Sequence, residues 1–186
     1  MIKIATAECF TQGKIGRELH AIAQGYEGEF GRDYVKNLEE YGDFDYNELS
    51  ITCSLFIPTI EAVVKILNVE NPPKPDKLIK GIKVYDEKGD LNVSKIMARA
   101  VKDLTDCNIA VGTTAGIGRG GICIISEKYE ISTTTDIYAD LCENNSDDLF
   151  KRSENGIGKA LEILLLLLNG RVDEIEKLEN IELNIL

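Results

Sequence analysis

Ile2, Ile4, Ala5 and Ala7 make residues 2–7 a short apolar strand, and the period then changes. Between Gly13 and Gln24, Ile15, Leu19, Ile22 and Ala23 fall on one face of a helix. Residues 32–41 read as an exposed acidic helix followed by a loop, and 49–57 as a buried strand. Pro58 then opens a helix over 59–67 at a favoured first-turn position. Residues 71–75 (Asn-Pro-Pro-Lys-Pro) are the one candidate linker, and at this length they read as a rigid loop rather than a domain boundary. A strand over 81–85, an acidic turn at 86–90 and a helix from residue 92 follow, the helix carrying Ile96, Met97, Ala100, Val101 and Leu104. Further strands are expected at 107–111, 122–126 and 129–134, the last two joined by a tight turn. A long helix over 147–168 is closed by Asn169 and Gly170, and a final acidic helix starts at Val172. This order predicts a single α/β domain over 1–186, with a mixed, mostly parallel sheet and helices on both faces.

The most hydrophobic stretch, 163–168, is far below the ~20 residues of a bilayer span, and no secretory signal precedes the first strand. A charge of −11 over 186 residues argues against nucleic acid or an anionic membrane as partner. Acid concentrates in residues 27–48, which hold eight acidic and two basic residues, and beyond Val172. The aromatics of 26–46 fit either a partner or self-association surface or packing on the core, which leaves a homo-oligomer open. Five widely spaced cysteines and one histidine give no metal cage, and reduced thiols suit a cytoplasmic chain. Asp43/Asp45 and Asp86/Glu87/Asp90 lack a calcium-loop pattern and read as solvated turns. Cys53, Cys107, Cys123 and Cys142 lie in or beside apolar runs and read as core residues.

Two segments carry candidate chemistry. The first, residues 6–13, leads from strand to helix, where ligand sites of open α/β sheets gather. Cys9 sits there ahead of a helix N-terminus, which favours a thiolate or a bound anion, while the carboxylate of Glu8, if near, opposes one. Thr6, Thr11 and Gln12 offer hydroxyl and amide groups to a ligand. His20 lies about 10 Å further along the helix, beyond reach as a base. A buried, unreactive Cys9 is the competing reading. The second segment, 112–121, holds five glycines in ten residues. Its Gly116, Gly118 and Gly121 spell a dinucleotide fingerprint, but a strand follows where that unit needs a helix. Successive N–H groups, Thr113, Thr114 and the Arg119 fork suit a phosphate or carboxylate, against the alternative of a plain hairpin connection.

Residues 4–16 (Ile-Ala-Thr-Ala-Glu-Cys-Phe-Thr-Gln-Gly-Lys-Ile-Gly) and 112–118 (Gly-Thr-Thr-Ala-Gly-Ile-Gly) resemble the HcgF family along the full length, most specifically over 6–11. That family is archaeal and handles guanylylpyridinol during biosynthesis of the FeGP cofactor of [Fe]-hydrogenase. The resemblance implies that Cys9 is a nucleophile that forms a thioester with the guanylylpyridinol carboxyl group, an acyl transfer. The acyl group is implied to arrive as an adenylate from an adenylylating partner enzyme. On this reading guanylylpyridinol, a nucleotide conjugate, is the ligand, and no cofactor is tightly bound. Thr6, Glu8, Thr11, Gln12, Thr113, Thr114, Gly116, Gly118 and Arg119 are the expected ligand contacts. A fainter similarity links residues 7–13 and 110–116 to the CinA C-terminal domain, whose members hydrolyse nicotinamide mononucleotide; the implied fold is the same α/β class. Cys9 replaces that family's nucleophilic serine, and Gly112 replaces the first threonine of its loop. A pyridine-nucleotide amidohydrolase and a non-catalytic nucleotide-conjugate carrier are therefore the alternatives.

Overall fold

In a computed structural model, which describes residues 1–143 and 145–186, the chain starts with strand β1 (Ile2–Glu8) and helix α1 (Lys14–Gln24). Strand β2 (Leu49–Phe56), helix α2 (Ile60–Lys65) and the hairpin of β3 (Lys77–Ile79) and β4 (Ile82–Val84) follow. Helix α3 (Glu87–Thr105) leads to β5 (Ile109–Thr114), the short β6 (Ile117–Gly118), β7 (Gly121–Ile125) and β8 (Tyr129–Thr133). Strand β9 (Ala139–Asp140) pairs with β6 ahead of the long helix α4 (Ser146–Leu168), the one-turn α5 (Val172–Ile175) and β10 (Glu182–Ile185). The central sheet has six strands in the order β10-β8-β7-β5-β1-β2.

Alternation along the central strands divides the core in two. Ile4 and Val111 point to the face covered by Ile15, Leu19 and Ile22 of α1 and Ile157, Leu161 and Leu164 of α4. Ala5, Ala7 and Ala110 point to the other face, against Val63 of α2 and Val93, Met97 and Val101 of α3. The second face is lined by small residues because α3 lies almost on the backbone. A Cβ on Gly112 would sit 2.1 Å from the Ser94 carbonyl oxygen, and one on Gly121 2.5 Å from that of Asp90.

The sheet is mixed and flanked by helices on both faces, as the pattern predicts, but its weighting differs. Only β1–β2 and β1–β5 are parallel, whereas β5–β7, β7–β8 and β8–β10 are antiparallel. The β5–β7 and β7–β8 pairs are joined by short connections, a cue to antiparallel pairing, whereas β10 reaches β8 only after α4 and α5.

Residues 32–41 form no helix. Glu18 of α1, buried, accepts the backbone N–H groups of Asp33, Tyr34 and Val35, which holds the segment extended. Single turns at Gly28–Phe30, Leu38–Glu40 and Tyr46–Glu48 replace the helix. Tyr34, Tyr41, Phe44 and Tyr46 pack on the core, while Phe30 is exposed and Tyr26 packs edge-on against the exposed His20.

Helix α3 begins earlier than its periodicity suggests. The acidic turn is its first turn, where Asp86 caps the helix through Gly89 N–H and Asp90 is fully buried. Asp90 is therefore no solvated turn residue, whereas Asp86 stays exposed at the helix cap. Pro58 lies just outside α2, whose cap is Thr59. The proline-rich loop is anchored by the Tyr85 hydroxyl, which donates to the Pro73 carbonyl at 2.5 Å. After Val172 the helix lasts one turn and gives way to β10. Cys107 and Cys123 are buried in the core, but Cys142 is only partly buried, in the turn after β9. Among the described residues no helix is long and apolar enough to cross a membrane.

Candidate functional site

Cys9 follows β1 directly, and its backbone is fixed from the neighbouring strand: its N–H donates to the Thr113 carbonyl at 3.0 Å and to the Thr113 hydroxyl at 3.2 Å. The Thr11 hydroxyl donates to Glu8 Oε2 at 2.7 Å, so the Thr113 hydroxyl, 2.9 Å away, is the donor in its bond to Thr11. A line of hydrogen bonds thus runs from Cys9 N–H through both threonines to Glu8. Glu8 in turn accepts the N–H groups of Ile15 at 3.2 Å and Gly16 at 2.9 Å. The carboxylate is the side-chain cap that α1 otherwise lacks, since its N-cap residue is Gly13. The helix terminus expected to favour a thiolate is therefore already occupied by an anion of the chain itself.

Cys9, 6% exposed, borders a cavity of about 180 Å³. Phe10 and Gln12 line it from the end of β1, Phe56 and Pro58 from the end of β2, Ala115 from the end of β5, with Ile82, Leu141, Leu149 and Arg152 completing the wall. The three strands are the mutually parallel ones, so the cavity opens at their carboxyl ends, the place such sheets reserve for ligands. Four larger clefts lie elsewhere, such as one of about 530 Å³ between Leu67 and Leu104, and among their described residues none sets a cysteine beside a buried arginine.

The two predicted segments do meet, though few of their residues reach the cavity. Of the expected contacts, Cys9 and Gln12 line it, Gln12 in the left-handed conformation at φ 57°. Thr6, Thr11, Thr113 and Thr114 are fully buried, and Thr6 donates to Ser54. The glycine-rich segment is not an open cradle. Gly116 N–H donates to Asp90 Oδ2 at 2.7 Å, and the carbonyls of Gly116 and Gly118 accept from Arg152. Arg119 is held by Glu87 through its backbone N–H, Nε and Nη2. The guanidinium correspondingly keeps Glu87 below the usual carboxylate range. The basic residues of α1 are also paired, Lys14 with Glu154 at 3.1 Å and Arg17 with Asp33 at 3.0 Å.

Arg152 is a site residue that belongs to neither of the two candidate segments. It is 2% exposed, and its Nη1 donates to the carbonyls of Gly116 (3.1 Å), Gly118 (2.8 Å) and Ala139 (2.8 Å). Its guanidinium lies 5.9 Å from the centre of the Phe10 ring. Burial lowers its pKa, against the opposing pull of Asp90 and Cys9. Two buried polar groups stand close by. Lys83 is fully buried and donates to the carbonyls of Ile57 and Pro58. Burial raises Asp90 to about 7, partly offset by the Gly116 N–H it accepts and by the charges of Arg152 and Lys83. Among the described residues no cluster of His, Cys, Asp and Glu has the arrangement of a metal site.

A cysteine at the carboxyl ends of parallel strands, over a small, mostly apolar cavity that also meets a buried arginine, gives this α/β protein one candidate ligand site. Residues 1–168 match the FeGP cofactor biosynthesis protein HcgF, and the chain belongs to the HcgF family. A UPF0254 protein of Methanococcus aeolicus is 48% identical, over 87% of this chain and 92% of its own. A UPF0254 protein of Methanothermobacter thermautotrophicus is 41% identical over 88% and 97%, and one of Methanopyrus kandleri 37% identical over 98% and 96%. Membership of this family places the protein in FeGP cofactor biosynthesis.

Proposed function

We propose that this protein captures the activated carboxyl group of guanylylpyridinol as a thioester on Cys9. The observation that carries the reading is the Cys9 cavity itself, in a chain of a family named for cofactor assembly. The Cys9 sulfur attacks the acyl carbon of the adenylate. A C–S bond forms, the C–O bond to the AMP phosphate breaks, AMP leaves with the electron pair, and the thiol proton passes to solvent. No base hydrogen-bonded to the sulfur is needed, because thiolates are intrinsically good nucleophiles and the acyl group arrives activated. The adenylate is the product of an adenylylating partner enzyme, so ATP need not bind here.

Cavity size supports a divided ligand. A pocket of about 150 Å³ holds a benzene ring, so about 180 Å³ suits the pyridinol ring and its carboxyl group. The guanosine portion then lies outside, where Phe56 is 54% exposed at the cavity wall.

Intact-mass spectrometry after incubation with guanylylpyridinol, the partner enzyme and ATP is the test. The expected result is a gain of one dehydrated ligand, reversed by hydroxylamine and absent in Cys9→Ala. An adduct that persists in Cys9→Ala overturns the mechanism. Ligand binding without any adduct favours a carrier, and ammonia release from nicotinamide mononucleotide favours an amidohydrolase.

A further inference from the structure

Among the described residues, Arg152 is a cation without a counter-ion in hydrogen-bond contact. The bonds it makes go to three neutral carbonyls, all through Nη1, and its Nε is buried with no hydrogen-bond partner among the described residues. A buried, unpaired polar atom on a charged group costs more than one on a neutral group, and natural structures rarely leave one without a use. Asp90 does not neutralise it: Asp90 Oδ2 takes the Gly116 N–H, and Oδ1 has no partner among the described residues. The side chain lines the same cavity as Cys9, between the Phe10 ring and otherwise apolar walls of Phe56, Ile82 and Leu149. The more exposed cations nearby, Lys14, Arg17 and Arg119, are each engaged by a carboxylate of the chain. A planar ring entering this cavity finds apolar walls for its faces and one fixed positive charge for its carboxyl group.

We propose that Arg152 is the carboxyl-recognising catalytic residue of the cavity: it holds the carboxyl oxygen of a one-ring aromatic acid and takes up negative charge on that oxygen as Cys9 attacks. The ligand class is accordingly a heteroaromatic carboxylate or its activated acyl form, with the carbonyl oxygen, not a phosphate, at the guanidinium. The catalytic half of this inference rests on the acyl-capture reading; the recognition half does not. In the attack, the carbonyl π electrons move onto oxygen beside the guanidinium and return when AMP leaves. Arg152 remains protonated throughout and exchanges no proton. A donor placed in this way contributes about 100-fold or more to rate when water is excluded.

Two measurements test it, and the first leaves Arg152 intact. Cys9→Ala is titrated calorimetrically with nicotinate and with nicotinamide, which share a ring and differ in charge at the carboxyl position. Nicotinate is expected to bind at least about 10-fold more tightly; equal affinity overturns the proposal. The second uses Arg152→Lys, whose amine retains a donor for the three carbonyls but has no Nε. Its acylation by the guanylylpyridinol adenylate is expected to slow about 100-fold, while alkylation of Cys9 by neutral iodoacetamide stays within about twofold of the parent. Unchanged acylation, or an equal loss in both reactions, overturns the catalytic role. If Arg152→Lys does not fold by circular dichroism, the nicotinate comparison alone decides. A parent protein that forms no hydroxylamine-labile adduct yet prefers nicotinate refutes acyl capture and leaves carboxylate recognition by Arg152 standing.

Discussion

Arg152 lies on α4 four residues before Gly156 and eight before Ala160, both buried, so a helical wheel places it within the buried stripe of that helix. That anomaly, a charge on a buried face, was readable in the sequence; its target was not, because Gly116, Gly118 and Ala139 converge on it only through the fold. Cys9 was legible for the opposite reason, since its position depends on one local feature, the end of β1. Asp90 was read as a turn residue because Gly89 beside it obscures the helix start. Its raised pKa carries a prediction. In the unfolded chain Asp90 ionises near 3.8 and in the folded one near 7, so the folded state holds the proton more tightly. Its contribution is fully present below the unfolded value and declines as pH rises through the folded one. Asp90→Asn keeps an acceptor for Gly116 N–H and removes the buried charge. The variant should melt at the parent's temperature near pH 4 and about 5 °C higher at pH 8.5, measured by calorimetry.

At the scale of elements, the helices with a clear apolar stripe were legible, and segments shaped by distant contacts were not. Helices α1 and α4 declare themselves through an apolar stripe and a closing glycine, Gly25 and Gly170 at φ 63° and 72°. Residues 32–41 fail that logic because a single distant carboxylate, Glu18, takes three of their N–H groups, a tertiary contact no local pattern encodes. Strand β10 was legible and missed: Ile181, Leu183 and Ile185 alternate with polar residues, a period of two hidden behind an acidic run. The glycine-rich segment was taken for a ligand cradle, yet its glycines mainly let α3 approach the sheet. Gly112→Ala would drive a methyl group onto the Ser94 carbonyl and the Ala98 backbone. It should cost about 3 kcal/mol in urea denaturation, with α3 displaced from β5.

For the molecule as a whole, the sheet's two halves divide the labour. The parallel half, β2, β1 and β5, places the cavity at one end, while β7, β8 and β10 extend the core away from it. The family match ends at residue 168, before α5 and β10. Deleting residues 179–186 removes β10 together with the half-buried Ile181 and Leu183 and unpairs the edge of β8. Stability should fall by about 3 kcal/mol, read from the urea midpoint, while the iodoacetamide rate at Cys9 stays at the full-length value. A slower rate in a folded truncation would mean that the far edge supports the cavity. Charge is also arranged on this scale: −11 overall, with the cations Lys14, Arg17 and Arg119 tied to surface carboxylates and Arg152 kept inside.

The close seating of α3 on β5 and β7 has a consequence for how this lineage can drift. Glycine at 112 and 121 is imposed by backbone contact with that helix, whatever the cavity binds. A descendant that lost Cys9, and with it any covalent chemistry, would still be held to those glycines by the need to fold. Their persistence in a distant sequence would record inherited architecture, and the residues at positions 9 and 152 would have to be read before an inherited activity was assumed.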